Sequence, residues 1–194
     1  MTTTDALLFT TVTSESSGSG TGGSVWNNLA NVQADDGANA SSTDVGFGTQ
    51  LFKALDPDLS TVPADATITQ IDIGVKKSSN FAGGGHSGRF YVDVEVYLIV
   101  DSLAVGVNKA QSTPVWPLTA TTSTYTWSSV DIAALGGLTG ADIQSGFGFY
   151  LYAEENQTDG DCTAYIDYVW VMVSYITSGG APGVVIIPLR RRRR

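Results

Sequence analysis

Between residues 145 and 175 the chain reads as two alternating apolar runs around a polar loop. Phe147, Phe149, Leu151 and Ala153 fall on one face at period two. In the second run Tyr165, Asp167, Val169, Val171, Val173 and Tyr175 share one face, and Ile166, Tyr168, Trp170 and Met172 share the other. Alternation of this kind in β-branched and aromatic residues predicts strands, and Glu154–Asp161 supplies turn formers. The pattern predicts a long antiparallel hairpin. Its second strand, apolar on both faces, must be covered on both sides or present one face to a partner.

The same period recurs upstream. Over residues 90–101, Val92, Val94, Val96, Leu98 and Val100 face one way, and Tyr91, Asp93, Glu95, Tyr97 and Ile99 the other. Residues 44–55 and 66–78 also read as strands. In the latter Ile71, Ile73 and Val75 alternate while Ile68 is out of register, which predicts a bulge. Two short strands are expected within 104–118 and 123–128, around Pro114 and Pro117. Residues 129–144 are the helix-compatible stretch, broken by Gly136-Gly137 and Gly140, so one or two helical turns are expected.

Composition sharpens the class. In 194 residues, with 15% charged, Gly, Ser, Thr, Val, Ala and aromatics dominate, which suits an all-β sandwich. One domain is expected, residues 25–176, with an N-terminal arm 1–24 and a C-terminal arm 177–194. The arm stretch 14–24 is Ser/Gly-rich and linker-like. No apolar run is long enough for a membrane helix, and the N-terminus lacks the pattern of a secretory leader. The sequons at Asn39 and Asn156 are accordingly read as chance. Five of the ten basic residues are Arg190–Arg194, so residues 1–189 carry about −14 against a strongly basic end.

Few residues suggest chemistry. The single cysteine, Cys162, rules out a disulfide within the chain and reads as a small buried residue at a strand start. A dyad with the single histidine, His86, is a minor alternative, and one of each is too few for a zinc site. The loop 79–89 is glycine-rich, but a strand follows it rather than the helix a phosphate cradle requires. Asp35 and Asp36 offer hard oxygen ligands of the kind calcium takes, although their spacing fits no EF-hand and a capped loop without metal is the default. Asp35, Asp36, Glu154 and Glu155 are the carboxylates a hydrolase would need, but adjacent acids in loops lack the separated environments of an acid–base pair. Trp116 and Trp127 read first as core or interface anchors. With Trp26 and Tyr125 they are also the candidates for stacking on sugar rings.

The C-terminal arm reads Val184-Val185-Ile186-Ile187, then Pro188-Leu189 and five arginines. An extended apolar segment suits pairing with a free sheet edge. Arginine forks suit carboxylates or phosphates. The arm's expected partners are an acidic neighbour, another copy of the chain, packaged nucleic acid or a negatively charged cell surface.

A set of loose patterns follows in order over residues 24–175. Trp26-Asn27-Asn28 precedes the turn Asp36-Gly37. Pro63-Ala64-Asp65-Ala66 introduces Ile71-Asp72-Ile73-Gly74-Val75. Leu138-Thr139-Gly140-Ala141-Asp142-Ile143 leads to Gly146-Phe147-Gly148, and a strand from Asp167 closes at Tyr175. In this order the chain resembles a recurring type of β-sandwich found among virion proteins of tailed bacteriophages. The resemblance implies an antiparallel jelly roll, similar to galactose-binding-like and carbohydrate-binding modules, and brings no catalytic residues. It covers neither arm.

The resulting expectation is a non-enzymatic virion protein without cofactor. It would be a capsid decoration or cement subunit, or a neck or tail accessory, oligomeric within the assembly and bound to other virion proteins. Ile186, Ile187 and Arg190, Arg191, Arg192, Arg193 and Arg194 form the expected anchoring arm. The face of Tyr168, Trp170 and Met172 is the expected core or subunit contact. The alternative is a carbohydrate-binding, host-adhesion module stacking sugars on Trp116 and Trp127.

Overall fold

The computed structural model describes residues 2–3, 8–16, 23–44, 48–81, 90–156, 162–177 and 179. The described residues form two antiparallel five-stranded sheets packed face to face. In chain order the strands are β1 (Thr2–Thr3), β2 (Phe9–Glu15), β3 (Ala40–Asp44), β4 (Leu51–Pro57), β5 (Thr67–Phe81), β6 (Tyr91–Val100), β7 (Leu103–Val105), β8 (Thr121–Trp127), β9 (Gly148–Glu155) and β10 (Cys162–Ile176). One sheet runs β1-β10-β5-β8, with β3 also paired to β10. The other runs β2-β4-β9-β6-β7. From β3 onward every connection crosses to the opposite sheet, except the tight β6–β7 return. This is an all-β sandwich, and among the described residues no helix is long and apolar enough to cross a membrane.

The expected hairpin over 145–175 does not form. β9 lies between β4 and β6, while β10 pairs with β5 in the other sheet. Both edges of β9 are already occupied, so β10 has no place beside it. The apolar faces of β9 and β10 meet across the core instead. Phe147, Phe149, Leu151 and Ala153 do share one buried face, at 0% exposure each.

Bulges decide which side chains point inward. In β5 the partners step from Gln70 to Ile68 opposite Ser174 and Tyr175, which leaves Thr69 as the extra residue. Ile68 thereby joins Ile71, Ile73 and Val75 in the core, as its broken register predicted. In β6 the extra residue is Val94. Tyr91 and Asp93 point inward before it, Val96 and Leu98 after it, so the single valine face expected for 92–100 is divided. In β10 the extra residue is Asp167. The core face there is Cys162, Ala164 and Ile166, then Val169, Val171, Val173 and Tyr175. Tyr165 and Ile166 therefore exchange the faces that strict alternation assigned to them.

Short helices bridge β8 and β9. α1 (Ser129–Ala134) begins at a capping box of Ser128 and Asp131, and α2 (Gly140–Ile143) at one of Thr139 and Asp142. Gly136 and Gly137, at φ 90° and 85°, end the first helix in the left-handed region that favours glycine. Gly140 opens the second helix rather than breaking it. A Cβ at that position would overlap the Pro63 carbonyl.

Candidate functional site

The outward face of the β10 sheet is one candidate surface, and its rows follow from register. Tyr168 of β10 lies opposite Lys76 of β5 and then Thr122 of β8. Trp170 lies beside Gly74 and Thr124, and Met172 beside Asp72 and Thr126. Trp170 and Met172 are partly exposed. The indole of Trp170 lies flat over Gly74, where any Cβ would overlap the ring. Thr126 Oγ1 donates to Asp72 Oδ1 at 2.6 Å, and Gln70 Nε2 donates to Asp72 Oδ2 at 2.7 Å. The face thus combines an aromatic plate and a methionine with an Asp72–Thr126–Gln70 set bonded within the sheet. Aromatics and Met on a surface of this kind are the compositional mark of a protein contact.

One rim of this face carries ordered charges. Lys76 Nζ reaches Asp167 Oδ2 and Asp35 Oδ1, each at 2.5 Å. The bonds to Asp167 and then Asp35 hold its ammonium above the usual lysine range. The bulge aims Asp167 this way, and its other oxygen accepts the Gly37 N–H at 3.1 Å. Tyr168 is 7% exposed, and its hydroxyl has no hydrogen-bond partner among the described residues. Its proton is held more tightly than usual by burial and by the nearby charge of Asp35. Asp36 accepts the Ala38 N–H at 3.0 Å in a local turn. Asp35 and Asp36 are therefore engaged with Lys76 and with backbone. Among the described residues no three His, Cys, Asp or Glu side chains are grouped to hold a metal.

One edge strand of the same sheet is β8, where Gln111 Nε2 donates to the Thr124 carbonyl at 3.1 Å. A groove of about 380 Å³ runs beside it, lined by Pro114, Val115, Pro117 and Thr121–Thr124. Val115 and Leu118 are exposed here, at 36% and 67%. An edge strand with an apolar shelf next to it is a template for an added strand.

The tryptophans proposed for sugar stacking are inside. Trp26, Trp116, Tyr125 and Trp127 are 2%, 2%, 1% and 0% exposed, so none offers a ring face to a ligand. The stacking role for Trp116 and Trp127 is thus corrected to core packing. Trp127 donates its indole N–H to Val107 O at 3.2 Å.

Trp116 belongs to a buried polar cluster that was not foreseen. Lys77 and Asp93 have side chains only 3% and 0% exposed, and Nζ lies 2.6 and 2.8 Å from the two carboxyl oxygens. Trp116 Nε1 donates to Asp93 Oδ1 at 2.7 Å, and Tyr125 OH donates to Oδ2 at 2.7 Å. The Gln111 backbone N–H also reaches Oδ2, at 3.2 Å. Lys77 Nζ donates to Tyr125 OH at 2.5 Å and sits over both aromatic rings, 4.9 and 5.2 Å from their centroids. Burial lowers Lys77 from its ordinary range against the pull of Asp93. Burial, with Asp93 beside it, raises Tyr125. The signal for Lys77 was present in the sequence: continuing Ile71, Ile73 and Val75 at period two reaches Lys77. Asp93 was hidden by the bulge at Val94.

Cys162 is buried at the start of β10, with its Sγ 3.2 Å from Asn80 O. Its candidate partner His86 lies outside the described residues, as do Ile186, Ile187 and Arg190–Arg194 of the C-terminal arm. Comparison with known proteins found no matching family model, no curated relative and no similar solved structure.

Proposed function

We propose that this chain is a non-enzymatic structural protein of a tailed-phage virion, a jelly roll held to neighbouring virion proteins through its edges and arms. The observation that carries the reading is the strand order. Taken from β3 to β10, the sheets run β3-β10-β5-β8 and β4-β9-β6-β7, and apart from the β6–β7 return the chain alternates between them. That order supports a jelly roll, in which eight strands form two Greek keys over two sheets. The Trp170–Met172 face and the edge strand β8 provide docking surfaces on such a body. Residues 9–15 of the expected N-terminal arm are strand β2 of the body, so the C-terminal arm supplies the reach, and several modest attachments multiply into one firm one. A body of about −14 and an arm ending in five arginines are complementary between copies, which favours an oligomer within the assembly. Capsid decoration is the first placement, and a neck or tail accessory the second.

The test is co-sedimentation of purified full-length chain with isolated heads, isolated tails and bare DNA at moderate salt, beside a copy lacking Val184–Arg194. Binding to heads or tails that is lost on truncation supports the virion role and locates it. Binding to neither, with DNA or glycan binding retained, overturns the reading in favour of nucleic-acid or host-surface attachment.

A further inference from the structure

We propose that Lys77 and Asp93 condense into an intramolecular amide, a covalent staple between the two sheets. Lys77 belongs to β5 in one sheet and Asp93 to β6 in the other, and both side chains are closed off from solvent. A paired charge of this kind is costly to bury. Amide formation removes both charges from the core at once.

The two groups that would react are already in contact. With Nζ at 2.6 and 2.8 Å from the two oxygens, the nitrogen lies near the bisector of the carboxyl group. Attack on Cγ requires the nitrogen to stand above the carboxyl plane, a short shift for a group already in contact with both oxygens. Transfer of one proton from ammonium to Oδ2 gives the neutral amine and neutral acid from which condensation proceeds. The nitrogen lone pair then bonds to Cγ. Tyr125 OH touches Nζ at 2.5 Å and Oδ2 at 2.7 Å, so it accepts the proton that nitrogen sheds and passes its own to Oδ2. The Cγ–Oδ2 bond breaks, and Oδ2 leaves with two protons as water. Oδ1 stays as the amide carbonyl, already accepting from Trp116 Nε1 at 2.7 Å. That indole N–H stabilises the charge that builds on Oδ1 in the tetrahedral intermediate. The balance is one amine plus one carboxylic acid giving one amide plus one water, with no oxidant, activating group or second protein.

The experiment is the intact mass of the folded full-length chain, followed by a peptide map. The expected mass is lower than that of the sequence by one water, with no tryptic cleavage after Lys77 and one branched peptide joining the Lys77 and Asp93 segments. A folded wild-type chain of full mass, with Lys77 and Asp93 in separate peptides after prolonged incubation, overturns the proposal whatever the variants do. Lys77→Arg and Asp93→Ala are each expected to keep the full mass. Tyr125→Phe, checked for folding by circular dichroism, is expected to lose the water about a hundredfold more slowly. Condensation at the wild-type rate in that variant overturns the relay through Tyr125.

Discussion

Gly74→Ala is expected to destabilise the fold even though a strand normally gains from the change. In a strand interior, alanine is worth about 0.5–1 kcal/mol over glycine. Here the new methyl would occupy the space of the Trp170 indole, which rests on the Gly74 backbone. The ring must lift from the sheet. A tryptophan buries roughly 200 Å², and losing one face exposes about half of it. At about 25 cal/mol per Å² that costs about 2.5 kcal/mol, which leaves a net loss of about 2 kcal/mol. Urea unfolding of wild type, Gly74→Ala, Trp170→Ala and the double variant separates the terms. Trp170→Ala alone should cost about 2–3 kcal/mol. With the indole gone, Gly74→Ala should become neutral or mildly stabilising, so the two changes couple by about 2–3 kcal/mol. If Gly74→Ala has the same effect in both backgrounds, the stacking of Trp170 on Gly74 does not stabilise the sheet, and the outward face is not organised as described.

Further expectations test other parts of the molecule. Tyr168→Phe removes a buried hydroxyl with no partner among the described residues, so it should stabilise by about 1 kcal/mol in urea unfolding; a loss would mean that the hydroxyl is satisfied after all. The bond from Lys109 and then those from Ser128 hold Asp131 down to about 2. A depressed carboxyl contributes stability that is full above its unfolded value, about pH 4, and lost as pH falls through about 2. Asp131→Asn also weakens the capping box of α1, and it should cost about 1 kcal/mol near neutrality. Stability curves of wild type and this variant should converge between about pH 4 and pH 2, and a gap that stays constant would refute the assignment. Cys162 should resist a thiol reagent in the native protein and react fully in denaturant; rapid native labelling would contradict its burial.

Period-two patterning was enough to find most strands, because each has one face in the core. It failed where one inserted residue moves every later side chain to the other face. Val94 and Asp167 are such insertions. Strict alternation placed Asp93 away from the core and Asp167 among the valines, and both placements were reversed. The same error hid the chemistry. Lys77 continues the Ile71, Ile73 and Val75 face and needs a buried acid, and Asp93 meets it only because the Val94 bulge lets Tyr91 and Asp93 point inward on a strand whose later inward residues are Val96 and Leu98. The hairpin misreading has a different origin. Alternation specifies a buried face but not the neighbour, and neighbours in a sandwich are set by long-range pairing. β9 and β10 are adjacent in sequence, yet β10 pairs with β5 along nearly its whole length. A lysine on an otherwise apolar strand face therefore predicts more than a charge to be tolerated. It predicts an acid on the facing sheet, and a bulge wherever strict alternation points that acid outward.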